Sequence, residues 1–190
     1  MTTLPGWDAE LPSKQYSGLV RATRSTFHYW LVESEGDPAS DPLVIWMNGG
    51  PGASSMFGML SELGPFMLTE ESALVEPPAL FRNPTGWQTA ANVLAIEQPP
   101  PTGFSFCGDP AGGLDACGDW TDESAAEENY RFVLNWLERF PEYAERALYI
   151  TGESYAGVYV PLLADNLVRG RRAGENAVDQ LVAPRPFLRS

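Results

Sequence analysis

Ser154 lies in Gly152-Glu153-Ser154-Tyr155-Ala156-Gly157, directly after the apolar run Ala147-Leu148-Tyr149-Ile150-Thr151. A strand, a tight turn of small residues around a serine, and the start of a helix can hold a hydroxyl oxygen above a sheet. The helix that follows points its first amides at negative charge developing there. A second block, Trp46-Met47-Asn48-Gly49-Gly50-Pro51-Gly52, also ends an apolar run. Its glycines let the backbone approach a substrate closely, with amides turned inward. An ordinary strand-to-helix turn has a similar composition, so neither block is diagnostic alone. Together they describe acyl transfer through a serine and an oxyanion loop.

A serine is a poor nucleophile without a base. In strand–turn–helix enzymes of this kind the chain order is Ser, then a carboxylic acid, then His. No histidine follows Ser154; the only one is His28, in the strand-like run Phe27-His28-Tyr29-Trp30. Asp165 and Asp179 follow Ser154, but one belongs to the next helix and the other to the terminal segment. Neither stands where a triad acid is expected. One histidine cannot complete a Cys/His metal site, so no metal or cofactor is expected.

The elements that must position these residues follow from hydrophobic period. Tyr16 to Arg21 and Thr26 to Glu33 read as two strands joined by Ala22-Thr23-Arg24-Ser25, a hairpin. Leu43–Met47 and Asn92–Ile96 are short continuous apolar runs, the pattern of strands buried on both faces. Ser54 to Leu63 has helical spacing at Met56, Met59, Leu60 and Leu63 and stops at Gly64-Pro65. A longer helix is expected from Thr121 to Phe140. Thr121 is its N-cap, Asp122 and Glu123 lie in the first turn, and Phe132, Val133, Trp136, Leu137 and Phe140 form the apolar stripe. After the Ala147–Thr151 strand a helix runs from about Gly157 to Arg169. Strands alternating with helices imply an α/β fold with a largely parallel sheet and flanking helices. Residues 169–190 read as an irregular basic tail, frayed from Ala173 onward.

At 190 residues and 44% hydrophobic content the chain is the size of one packed domain. Its formal net charge of −13 is uneven. Residues 1–168 carry 7 basic and 23 acidic side chains, net −16, and residues 169–190 carry 5 and 2, net +3. The acidic body repels phosphates and argues against nucleic acid as a partner. No run is long and apolar enough to span a membrane, and Met1 to Glu10 has no basic stretch followed by an apolar one. Cys107 and Cys117 have 9 residues between them, a spacing that permits a local disulfide and equally two free thiols.

Several blocks in fixed order resemble the serine carboxypeptidases of the α/β-hydrolase fold. They are Tyr16-Ser17-Gly18, Phe27-His28-Tyr29-Trp30, Trp46 through Ser55, Glu62-Leu63-Gly64-Pro65-Phe66, Asn83-Pro84, Thr102-Gly103-Phe104-Ser105, Arg139-Phe140-Pro141-Glu142-Tyr143 and Gly152 through Gly157. The likeness covers roughly residues 4 to 168, so residues 1–168 are expected to be the N-terminal part of such a catalytic domain. The resemblance implies Ser154 as nucleophile and the amides of Gly50 and Tyr155 as oxyanion hole. It implies that Asn48, Gly49, Glu62 and Glu153, supported by Trp46, hold the free C-terminal carboxylate of a peptide. Two glutamates facing a carboxylate must share protons, which favours acidic conditions. The implied activity is release of C-terminal residues through an acyl-enzyme on Ser154. Related alternatives are acyl transfer to an alcohol and a non-catalytic protein that keeps only the carboxylate-binding cluster. The implied location is secreted, vacuolar or lysosomal. Two departures stand out: Ala53 replaces a Cys usual in the family, and Pro99-Pro100-Pro101 replaces a Pro-Val-Gly loop. With no strand and no His after the Ser154 helix, the expected fold is truncated there, the simplest account being an incomplete chain.

Overall fold

The computed structural model describes residues 1–109 and 114–182. The first two strands, β1 (Gln15–Arg21) and β2 (Ser25–Val32), form the expected antiparallel hairpin, with Ser17 opposite Trp30 and Leu19 opposite His28. Its turn is held from outside by the buried carboxylate of Glu128, which accepts the amides of Thr23, Arg24 and Ser25. Such a carboxylate satisfies turn donors that have no ladder partner. Next come β3 (Leu43–Met47), the short helix α1 (Ser55–Ser61), and the small strands β4 (Phe66–Met67) and β5 (Phe81–Arg82), which pair with each other. They are followed by β6 (Asn92–Ile96), β7 (Phe106–Cys107), the helix α2 (Asp122–Arg139), β8 (Leu148–Gly152) and the helix α3 (Ala156–Arg172).

The main sheet runs β1-β2-β6-β3-β8, with β7 paired to β2. The β6, β3 and β8 strands are mutually parallel, and β2 joins them antiparallel. Every residue of β3 and β6 is buried, as their continuous apolar runs require. On one face Phe27, Tyr29, Leu31, Ile45 and Leu94 pack against Phe132, Val133 and Trp136 of α2 and Tyr159, Leu163 and Leu167 of α3. On the other, Trp30, Val32, Trp46 and Val93 pack against Met59, Leu63 and Phe66. This is a layered α/β architecture with a mostly parallel sheet and flanking helices. Among the described residues no helix is long and apolar enough to cross a membrane.

Thr121 caps α2 as expected, accepting from the Ser124 amide at 3.2 Å while the Ser124 hydroxyl accepts from the Thr121 amide at 2.9 Å. Cys107 and Cys117 form a disulfide, which decides between the two states the spacing allowed. The segment after Ser154 differs from expectation. Helix α3 continues to Arg172, past the anticipated end at Arg169. The chain then folds back instead of fraying. Asn176 donates to the Leu167 carbonyl and the Tyr130 hydroxyl and accepts the Val178 amide, and Val178 is buried. Gln180–Val182 then run beside the start of β8: Leu148 N donates to Gln180 O at 2.8 Å and Val182 N to Leu148 O at 2.9 Å. The start of the β8 edge is therefore paired. The rest of the expected tail, residues 183–190, lies outside the described residues.

Candidate active site

Strand β8 ends at Gly152, and α3 begins at Ala156. The chain turns between them through Ser154, which has φ +55°, the one non-glycine residue with positive φ among the described residues. A left-handed serine in a strand-to-helix turn is the backbone signature expected for an exposed nucleophile. Ser154 is exposed, and no side chain caps the start of α3. Its first amides turn back on the elbow, Ala156 N to Glu153 O and Gly157 N to Ser154 O, each at 2.9 Å.

The glycine loop packs directly against this elbow. A Cβ on Gly49 would stand 2.4 Å from Tyr155 N and 2.8 Å from Glu153 O, so only glycine allows this approach. Gly50 turns with φ +107°, a conformation that favours glycine. Asn48 ties the loop to the elbow, donating from Nδ2 to Glu153 Oε1 at 2.7 Å. Its Oδ1 accepts Trp46 Nε1 at 2.6 Å and the Gly58 amide at 3.3 Å, and its own amide donates to Ser55 Oγ at 3.0 Å. Trp46 in turn stands edge-on to Trp87, with ring centroids 5.5 Å apart. The Asn48 amide group thus has a fixed orientation, with donor toward Glu153.

Glu62 caps the C-terminal end of α1. Its carboxyl is raised above the ordinary range, first by burial and then by the negative charge of Glu153. The structure therefore brings Trp46, Asn48, Gly49, Glu153, Ser154 and Tyr155 into one cluster and places Glu62 within electrostatic reach of Glu153. A carboxylate ligand beside a carboxyl with raised pKa can accept a hydrogen bond from its neutral form.

His28 does not serve this site. Its ring bonds to Ser17 Oγ at 2.8 Å and Glu97 Oε2 at 2.9 Å. Asp165 pairs with Arg169 and Asp179 with Arg171, so both following aspartates are engaged by helix arginines. Sequence reasoning did not single out the residues behind the loop. Gln98 donates from Nε2 to Asn48 O at 3.3 Å and accepts Asn129 Nδ2 at 3.1 Å, both side chains fully buried. Ser54 Oγ, the N-cap of α1, donates to the buried Glu97. For Glu97 and Gln98 the one signal is polar residues directly after the buried β6 strand. Among the described residues no group of His, Cys, Asp and Glu has the arrangement of a metal site.

Comparison with known proteins agrees with this geometry. A sequence model of the family described as serine carboxypeptidase matches residues 5–182, beyond the expected end of the likeness near residue 168. Serine carboxypeptidase-like 36 of Arabidopsis thaliana is 46% identical over 164 residues, which cover 85% of this chain and 32% of that protein. The lysosomal protective protein of Mus musculus is 44% identical over 162 residues, covering 85% and 32%. Among solved structures, a prohormone-processing carboxypeptidase from Saccharomyces cerevisiae superimposes with a TM-score of 0.74 at 29% identity, over 87% of this chain and 36% of that one. The chain spans about a third of the length of the curated relatives it matches.

Proposed function

The chain belongs to the serine carboxypeptidase family, and on that premise we propose that Ser154 is the nucleophile of a peptidase acting on free C-termini. Peptide carbonyl carbon is attacked by Ser154 Oγ, and the amides of Gly50 and Tyr155 receive the developing oxyanion. Asn48, Gly49, Glu62 and Glu153 hold the terminal carboxylate, with Trp46 fixing Asn48. The observation that carries the reading is the contact between Gly49 and Tyr155 N at a left-handed Ser154. It sets the glycine loop against a serine raised at the start of a helix, which supports an oxyanion hole between them.

The carboxylate cluster gives the reading its specificity. Glu62 has its carboxyl raised, so its neutral form persists to higher pH than in an ordinary glutamate. A ligand α-carboxylate ionises with a pKa of about 3.5. Between that value and the raised value of Glu62, the ligand is charged and Glu62 is protonated. Binding of a free acid therefore strengthens as pH falls from neutral into that window. The Cys107–Cys117 disulfide and the name of the mouse relative support an oxidising, secreted or lysosomal setting.

A second reading rests on a separate observation. The one histidine is committed to Ser17 and Glu97, so Ser154 has no imidazole base within the described residues. In that form the chain binds a peptide C-terminus without turning it over. One experiment separates the recognition claim from turnover. Matched peptide acids and amides are titrated onto the chain from pH 4 to 8, with wild type and Glu62→Gln/Glu153→Gln compared by chemical-shift mapping. The acid is expected to bind about ten- to a hundredfold tighter than the amide at low pH, the range of a charge-assisted hydrogen bond, and the double variant to lose that pH dependence. Equal binding of acid and amide by the wild type would refute the carboxylate assignment.

A further inference from the structure

Among the described residues, Ser17, His28 and Glu97 form a continuous hydrogen-bonded array with no hydrogen bond to the Ser154 elbow. Leu19 stands opposite His28 across the β1–β2 ladder, so both side chains share one face. Ser17 lies two residues before Leu19 and shares that face by the period of the strand. Its Oγ is 2.8 Å from His28 Nε2, and His28 Nδ1 is 2.9 Å from Glu97 Oε2. The acid end is buried, with the Glu97 side chain 1% exposed; the ring is 12% exposed; Ser17 is open to solvent.

The hydrogen bonds fix the tautomer. Burial alone pushes the Glu97 carboxyl up, but hydrogen bonds from His28, the Phe104 amide and Ser54 overcome it, and the net shift is downward. Glu97 is therefore a carboxylate, which only accepts. Nδ1 must then carry its proton toward Glu97, and in the neutral ring Nε2 holds a lone pair aimed at the Ser17 hydroxyl. The ring is further held by Phe104, edge-on with centroids 5.1 Å apart. An accessible hydroxyl, a base within hydrogen-bond reach and a buried group orienting that base are the marks of an activated nucleophile, recognised by geometry and not by chain order. Two exposed apolar side chains flank it, Leu19 at 44% and Phe104 at 72%.

We propose that Ser17, His28 and Glu97 constitute a second nucleophilic site, at which Ser17 accepts acyl groups from small activated esters. Ser17 Oγ bonds to the ester carbonyl carbon as its proton passes to His28 Nε2. The ester C–O bond breaks, and the leaving alcohol takes the proton from Nε2. Water then attacks the acyl-serine, gives a proton to His28, and releases the carboxylic acid as Ser17 regains its hydrogen. Leu19 and Phe104 offer apolar surface to the acyl or aryl group. A network that only ties β1 to β6 would have the same hydrogen bonds but an inert serine.

The test uses the Ser154→Ala chain, so that the elbow contributes no signal, and 4-nitrophenyl acetate and a fluorophosphonate as probes. Modified peptides are located by mass spectrometry. Ser17 is expected to be labelled in preference to exposed Ser40 and half-buried Ser61, and the label to vanish in Ser17→Ala, a surface change that leaves the fold intact. His28→Asn should slow labelling about a hundredfold, within the range of general-base assistance. Circular dichroism checks that each variant is folded. Labelling of Ser17 no faster than Ser40 and Ser61, or unchanged in folded His28→Asn, overturns the proposal. Because the readout is confined to the Ser17 peptide, it is independent of whether Ser154 acts on peptides.

Discussion

The left-handed conformation of Ser154 predicts an unusual ordering of two substitutions. An L-residue with a side chain pays roughly 1–2 kcal/mol to adopt this region, where glycine pays nothing. Ser154 has φ +55°, so replacing it by glycine releases that strain and replacing it by alanine does not. Glycine also enlarges the conformational freedom of the unfolded chain, which offsets about 0.4–1 kcal/mol. The difference leaves Ser154→Gly more stable than Ser154→Ala by about 0.5–1 kcal/mol. For a chain of 190 residues, 1 kcal/mol moves the melting temperature by about 2–4 °C, so a rise of about 1–4 °C is expected. Urea denaturation of both variants, each against wild type, measures the same quantity isothermally. Exposed Glu127 in α2 supplies the control: there glycine should be less stable than alanine by about 1 kcal/mol, the opposite sign. If Ser154→Gly melts at or below Ser154→Ala while the Glu127 pair behaves normally, the elbow stores no strain and the argument fails.

Gly49→Ala forces a Cβ to within 2.4 Å of the backbone nitrogen of Tyr155 and should cost about 1–3 kcal/mol by urea denaturation; an unchanged midpoint would mean that the glycine loop does not rest on the elbow. The 190-residue chain should hydrolyse a blocked dipeptide no faster than its Ser154→Ala variant, because the imidazole is engaged elsewhere and loss of a triad base removes about four to six orders of magnitude. Rapid, Ser154-dependent turnover in a continuous spectrophotometric assay would contradict this. Replacing both Cys107 and Cys117 by alanine opens a loop with a sequence separation of 10 and should lower stability by about 2–3 kcal/mol in calorimetry. No loss would show that the bridge constrains little in the unfolded chain.

The parts of the fold that were legible are those whose signal is local. Strands β3 and β6 announce themselves as five-residue apolar runs, and both occupy the anticipated residues. Helix α2 has a cap, acidic first turn and stripe, and it starts and ends where those place it. The return of residues 175–182 was hidden because its anchors are single residues with distant partners, Asn176 on Leu167 and Tyr130, Leu181 beside Leu148. No periodicity marks such a segment. At the site, Ser154 and the glycine loop were visible as blocks, but their support was not. Gln98 reaches Asn48 across 50 positions, and Glu97 reaches His28 across 69. Long-range polar contacts of that kind leave only a polar residue after an apolar strand as their trace.

Register explains why these distant residues converge. Trp46 lies opposite both Ala95 and Thr151, and Met47 opposite Gly152, so three parallel strands end at nearly the same level. Each strand then releases its chain at its carboxyl end with polar residues first: Glu97-Gln98 after β6, Asn48-Gly49 after β3, Glu153-Ser154 after β8. This crevice at the carboxyl ends is where open α/β sheets bind ligands. A one-residue slip of β3 would turn its side chains to the opposite faces and move Asn48 away from Glu153. The all-apolar strands prevent that slip only weakly by pattern, since both their faces are buried. The bonds of Asn48 to Trp46, Ser55, Gly58 and Glu153 oppose it directly, because each of these partners is buried or half-buried or belongs to the α1 backbone and would be left unsatisfied. The asparagine proposed to hold a substrate carboxylate therefore also locks the register that brings the glycine loop to Ser154, so one side chain ties the proposed binding cluster to the geometry of the elbow.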